Sequence, residues 1–339
     1  MISSLKANVY TLSAPRSLYL KEEVIDIQNV NSNEFICETL YSAISPGTET
    51  GAYLGLTPLR PGNFYPRVVG YCNVAKIIFT GVDVSEIAMG DVILTFQSHR
   101  THFKYSESDF FLKLDAATAK TTVTAYLYHL GYHSLITAGA KQGHNVGIIG
   151  AGVLGYTSSI MSSIAGCKTF VFTNQEEAKE KLSKKNIHCF SKHESNSESV
   201  NQLTHNIGLD IIINTSNSWE DWLLALKMIN KGGTIVNLGF PGRGEDSPQF
   251  NPLDPQYVYL KNLTIKALCC ITESDIPHYD IRFNIKRNLL YIIDLINSKI
   301  IKPQEIITEQ ISFKMLGEQY DNYCKKESYM LTTVIEWQN

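Results

Sequence analysis

Residues 145–174 read NVGIIGAGVLGYTSSIMSSIAGCKTFVFTN, and this stretch decides the fold. It opens with an apolar run, 146–149, of the kind that fills a strand buried on both faces. Gly150-Ala151-Gly152-Val153-Leu154-Gly155 follows, then small and apolar residues without proline that continue as a helix. A second apolar run, 169–172, ends in Thr173-Asn174. Strand, glycine turn, helix and strand form the frame in which G-x-G-x-x-G reads as a dinucleotide fingerprint; outside that frame it is only a glycine-rich turn. Gly150 permits the tight turn, Gly152 lets a diphosphate approach the backbone, and Gly155 lets helix and strand pack closely. The diphosphate would face the unpaired N–H groups at the positive end of the helix.

Around this stretch the chain runs to 339 residues, too long for one ordinary core, so two domains are expected. Hydrophobic residues make up 44% and charged residues 19%, the profile of a soluble globular protein. A formal net charge of −3 gives no electrostatic case for nucleic acid or a membrane surface. No apolar run approaches the roughly 20 residues that span a bilayer. The start, MISSLKANVYTL, has one lysine and no extended apolar core, unlike a secretory signal. Seven scattered cysteines without a C-x-x-C pair suit a reduced, cytoplasmic protein; the adjacent Cys269 and Cys270 fall in an expected strand.

In chain order, the first hundred residues read as β-rich. Segments 34–43, 68–80 and 91–96 carry β-branched and aromatic residues between turns at 45–47, 60–63, 80–81 and 89–91. Residues 116–136 suit a helix. From 145 to about 270 strand and helix alternate, with helices expected over 176–186 and 219–230 and strands over 209–214, 233–239 and 263–271. A helix over 282–297 and a final strand over 330–337 close the chain.

This order resembles the medium-chain dehydrogenase/reductase superfamily. The residues carrying the resemblance are Ser45-Pro46-Gly47-Thr48-Glu49, Val68-Val69-Gly70-Tyr71-Cys72, Gly90-Asp91, the glycine fingerprint, 210–214 and 231–239. The resemblance implies an α/β chain: a GroES-like β-rich catalytic domain over 1–122 and 271–339, and a Rossmann doubly wound parallel-sheet nucleotide-binding domain over 123–270. Substrate is then expected between the two domains, and a homodimer built by extending the nucleotide-domain sheets, with 263–271 as the edge. The zinc-dependent members carry a C-G-T-D-like motif where this chain has Pro46-Gly47-Thr48-Glu49, and G-H-E where it has Gly70-Tyr71-Cys72. On that match Pro46 and Tyr71 replace a metal-binding Cys and His, and the third ligand position falls near Lys120. Proline and neutral tyrosine are not zinc ligands, and a lysine ammonium repels the ion. No cysteine occurs between 72 and 167, so the structural-zinc lobe is missing too. The chain is thus similar to a zinc-free member. Cys72, His99 and His102 offer a His-x-x-His spacing, but the two histidines read more simply as ordinary residues in or beside a strand.

Without a Lewis acid, a carbonyl or conjugated alkene must be polarised by hydrogen bonds or a cation. Tyr71, in place of a metal ligand, is either a cleft-facing phenol that donates a proton or a packing aromatic among 18 tyrosines. Thr48 matches a proton-relaying Ser/Thr of the zinc enzymes; alternatively its hydroxyl only caps a turn. Lys120 either binds an anionic group or is a solvated helix-start lysine. Ser45 stands beside them, His102 is a reserve donor, and Glu49 holds the local loop rather than acting as a base.

Cofactor identity turns on the end of the second strand, where NAD sites place Asp or Glu about 20 residues after the glycine turn. Here stand Thr173, Asn174 and Gln175, with Lys179 along the following helix. A neutral amide does not repel a 2′-phosphate, so NADP(H) is expected over NAD, although Glu176 and Glu177 oppose a phosphate. Thr124, Asn214-Thr215-Ser216 and Leu238-Gly239-Phe240 resemble the segments that line the cofactor's ribose and nicotinamide. The first motif also resembles the branch that includes bacteriochlorophyllide hydroxyethyl dehydrogenase. That favours carbonyl/alcohol interconversion on a small biosynthetic intermediate over enoyl or quinone reduction; a non-catalytic dinucleotide-binding partner protein is the rival from another class.

Overall fold

The computed structural model describes residues 4–57, 64–193, 196–268, 283–325 and 327–338. The chain forms two compact units, Met1–Tyr126 with Ile293–Asn339, and Leu127–Ile292. In the second, six described strands make one parallel sheet. In chain order they are Asn145–Ile149, Lys168–Phe172, His188–Phe190, Leu209–Asn214, Ile229–Asn237 and Thr264–Ala267; across the sheet they lie 3-2-1-4-5-6. All five residues of the first strand are buried, as a strand covered on both faces requires. Ile149, Phe170, Phe172, Ile212 and Ile235 join Trp222 and Leu226 of helix Trp219–Met228 in one core cluster. Because the first strand has the second on one side and the fourth on the other, the order reverses at the first strand. The carboxyl ends of the first and fourth strands meet there, with Thr215 N–H donating to Ile149 O at 3.0 Å.

The first unit is β-rich. Its larger sheet runs Ile307–Ser312, Thr332–Glu336, Glu34–Ala43, Cys72–Thr80, Val92–Thr95, Phe111–Leu114, with His102–Ser106 also paired to Glu34–Ala43. A three-stranded sheet sets Ser4–Ala14 between Ser17–Asp26 and Arg67–Val68. The final strand pairs antiparallel with Glu34–Ala43, Val334 opposite Ala43, and thereby returns the chain's end to this unit.

Several expectations change in detail. The 45–47 turn opens helix Pro46–Leu54, with proline at the first helical position where its missing N–H costs nothing. The 68–80 strand breaks at 69–71: Gly70 has φ +86°, and a Cβ on it would lie 2.6 Å from the His99 ring. The 116–136 helix divides into a 3-10 turn, Ala116–Thr118, a short helix, Ala119–Thr122, and Ala125–Ala138. The run Thr121-Thr122-Val123-Thr124 is β-branched, and Thr124 Oγ1 donates back to Thr121 O at 2.8 Å, which competes with helix continuation. The 176–186 helix stops at Ser183, with Asn186 left-handed at φ +59°. The 60–63 turn, Cys269, Cys270 and the end of the 263–271 strand lie outside the described residues.

Candidate functional site

The glycine turn sits at the carboxyl end of the first strand. Gly150 has φ +92°, and a Cβ there would lie 2.7 Å from Thr215 Oγ1. A Cβ on Gly155 would land on the Gly150 carbonyl oxygen, so the helix can approach the strand only as glycine. Gly152 differs: it is exposed, and a Cβ on it would meet nothing within 4 Å. It is the N-cap of helix Val153–Ile164 and offers no side-chain cap, so the positive helix end opens onto unfilled space. Val153 and Gly155 are buried within that first turn and Leu154 is half-buried. Open space, bare helix N-terminus and switch point together fit a dinucleotide diphosphate.

The loops after the fourth and fifth strands are tied to each other. Leu238 and Gly239 N–H both donate to Asn214 O at 2.9 Å, Asn214 Nδ2 donates to Asn237 Oδ1 at 3.2 Å, and Ser216 N–H donates to Asn214 Oδ1 at 3.2 Å. Phe240 N–H donates to Asn217 Oδ1 at 2.9 Å, and its ring is 55% exposed. Thr215, Ser216, Leu238, Gly239 and Phe240 thus converge on one end of the sheet. Thr124 lies in the first unit, fully buried in the break between two helices.

At the end of the second strand a cavity of about 600 Å³ is lined by Asn174, Lys192, His193, Ser218, Asp221 and Lys227 among others. Asn174 is exposed, and its Oδ1 accepts the Lys192 N–H at 2.9 Å. Lys192 Nζ donates to the buried Asp221 Oδ2 at 2.6 Å and neutralises it. Thr173 is buried, with Oγ1 accepting from Gln175 N–H at 3.1 Å. Lys179 is spent elsewhere, on Glu176 at 2.7 Å and Ser191 Oγ at 3.1 Å. Sequence reading did not single out Lys192, which follows a third strand of only three residues, or Lys227, which lies in helix Trp219–Met228.

In the first unit, Ser45, Thr48 and Tyr71 come together. Burial pushes the Tyr71 phenol's pKa well above the ordinary value, with Cys72 and Glu49 adding to the rise, while the nearby Ser45 and Thr48 side chains pull it down. Behind them lies a buried hydrogen-bond chain. Glu49 Oε1 accepts Ser45 N–H at 2.7 Å, and Oε2 accepts from the Tyr320 hydroxyl and from His99 Nε2 at 2.8 Å. His99 Nδ1 meets Ser42 Oγ at 2.8 Å, and Ser42 Oγ accepts the Trp337 indole N–H at 2.8 Å. A carboxylate only accepts, so His99 carries a hydrogen on Nε2, toward Glu49, while its Nδ1 shares a hydrogen bond with the Ser42 hydroxyl. Glu49 therefore holds the loop, as expected, but through His99 and Tyr320, which sequence reading did not join to it. Lys120 pairs with Glu336 at 2.7 Å and stands over the Tyr41 ring. His102 lies in its strand opposite Glu38, and burial lowers its pKa.

Among the described residues no group of three or more His, Cys, Asp or Glu gathers as a metal site. Glu49, beside Cys72, has both oxygens occupied by Ser45, His99 and Tyr320. The donor set at this site does not fit a catalytic zinc.

Residues 154–284 match the family model described as zinc-binding dehydrogenase. No curated protein matches the chain in sequence. Among solved structures, 2R,3R-butanediol dehydrogenase from Bacillus subtilis is similar with a TM-score of 0.78 at 13% identity, covering 98% of this chain and 100% of that one. Galactitol-1-phosphate dehydrogenase from Escherichia coli gives 0.79 at 13%, covering 97% and 100%. A protein of zinc-binding dehydrogenase type from Sinorhizobium meliloti 1021, bound to NADP, gives 0.75 at 15%, covering 98% and 100%.

Proposed function

We propose that this chain, whose fold is that of the medium-chain dehydrogenases/reductases, is a metal-independent NADP(H) oxidoreductase moving hydride to or from a carbonyl/alcohol of a small biosynthetic intermediate. The observation that carries this reading is the glycine turn at the sheet's reversal point, open above Gly152 and backed by a bare helix end. Bound there, the nicotinamide supplies the hydride. The turn holds the diphosphate, and the Asn214–Ser216 and Leu238–Phe240 loops hold the ribose and nicotinamide. Asn174, which carries no charge, and Lys227 across the same cavity receive the 2′-phosphate, while Lys192 is held by Asp221. Tyr71, kept protonated by its raised pKa, donates to the substrate oxygen while Ser45 and Thr48 orient it and pass the proton. Metal independence is supported by Pro46 and Tyr71 at the resembling ligand positions and by the occupied oxygens of Glu49. A homodimer is supported by Thr264–Ala267, the sixth and last strand of the sheet among the described residues.

Deuterated NADPH tests the reaction. Deuterium on a carbinol carbon is expected; deuterium on a saturated carbon would mean alkene reduction, and no transfer to any carbonyl or alkene would leave a binding protein. Metal analysis after a chelating wash is expected to find zinc far below one per chain. Stoichiometric zinc would sink metal independence.

A further inference from the structure

Beside the Ser45–Thr48–Tyr71 hydroxyls stands a row of aromatic rings that proton transfer leaves unused. Tyr71 meets Tyr126 edge to face at 5.6 Å, Tyr126 meets Phe96 at 4.9 Å and 67°, and Phe96 stacks on Phe110 at 4.7 Å and 18°. The sheet register builds this row. Thr95 pairs with Phe111 and Asn73 with Thr95, so three strands end within one residue of the same level. Phe96 and Phe110 are the next residues out on two of them, and Tyr71 directly precedes the third. All four rings are half-buried, and none is part of the packed cluster around Phe35, Ile77 and Phe103.

A single exposed aromatic needs no explanation, but four in contact, one of them carrying the candidate proton donor, form a wall with a reactive end. The row holds two edge-to-face contacts and one stacked pair. A planar ring laid on it gains offset stacking and edge contacts that a puckered saturated ring of similar area does not. No charged side chain belongs to the row, so it offers nothing to a phosphate or a sugar acid. We infer that Tyr126, Phe96 and Phe110 are the substrate-recognition wall, and that the substrate carries a planar aromatic or conjugated group next to the reacting carbon. This rests on the hydride-transfer reading for which end of the substrate meets Tyr71.

The test is equilibrium binding by calorimetry of cinnamyl alcohol and of 3-cyclohexylpropan-1-ol, its saturated counterpart. Each is titrated into the full chain with and without NADPH, a pairing in which no turnover occurs. Cinnamyl alcohol is expected to bind at least about threefold more tightly, and Phe96→Leu and Tyr126→Leu to weaken it about threefold to tenfold while moving the saturated alcohol less than twofold. Circular dichroism and the melting temperature confirm that each variant is folded; should one not be, the wild-type preference between the two alcohols decides alone. Equal affinity for both alcohols, no binding of either, or a preference that both leucine variants retain overturns the inference. Failure of NADPH to bind while the planar preference persists would instead overturn the cofactor reading.

Discussion

The imidazole of His99 has no exposed surface, and each of its nitrogens meets one partner, Ser42 and Glu49. Burying a carboxylate is tolerable only when its oxygens are filled, and Glu49 has three donors for two oxygens. His99→Ala removes a hydrogen bond to a charged group and leaves a hole, so it should cost about 3 kcal/mol in urea unfolding, against about 1 for Ser42→Ala. A cost below that of Ser42→Ala would mean that Glu49 finds other donors. The Ser45-to-Glu49 motif stands out in the sequence because its residue types sit in one run. Its supports do not, because Ser42, His99, Tyr320 and Trp337 are joined only by folding. In the other unit burial holds His129 down to about 3, with His133 adding repulsion. Below the ordinary value near 6.5 the unfolded chain binds a proton that the folded chain refuses. The stabilisation is therefore whole above pH 6.5 and is lost as pH falls toward 3, by about 1.4 kcal/mol per pH unit. Measured between pH 6 and pH 4, His129→Phe should lose about 2 kcal/mol less than the parent chain. Equal losses would show that His129 titrates like an exposed imidazole.

At the scale of elements, the glycine turn separates packing from binding. Gly155→Ala drives a methyl into the Gly150 carbonyl and should destabilise by about 3 kcal/mol or prevent folding. Gly152→Ala meets open space, so its melting temperature should stay within about 2 °C of the parent while NADPH affinity, read by fluorescence, falls at least about tenfold. Unchanged affinity would remove the diphosphate from that space. This element was readable because its periodicity, glycines and length agree with one another. The third strand, His188–Phe190, was not: three residues carry no period, and their strand character comes from pairing with Phe170–Phe172 neighbours in the sheet. The 116–136 segment failed for a different reason. Its apolar pattern is helical throughout, but local threonine back-bonding at 121–124 prevails over it.

For the whole molecule, the change from β-rich sequence to strand–helix alternation announced a Rossmann sheet, yet the order 3-2-1-4-5-6 is a property of connections, not of any strand's residues. That order puts the ends of Asn145–Ile149 and Leu209–Asn214 side by side and so makes the glycine turn a site. It also sets Asn174 at the cavity that Lys192 and Lys227 line, where the choice between NADP and NAD is tested as a property of the folded chain. A ligand at 100 times its Kd stabilises the state it binds by about 2.7 kcal/mol. At one fixed concentration 2′,5′-ADP should therefore raise the melting temperature more than 5′-AMP, because the 2′-phosphate adds a charge-assisted contact. Asn174→Asp retains the acceptor for Lys192 N–H but places a negative charge beside that phosphate. It should cut the shift given by 2′,5′-ADP and leave the 5′-AMP shift equal or larger. If the two nucleotides shift the parent chain equally, or the aspartate lowers both alike, Asn174 does not face the 2′ position and the preference for NADP falls with it.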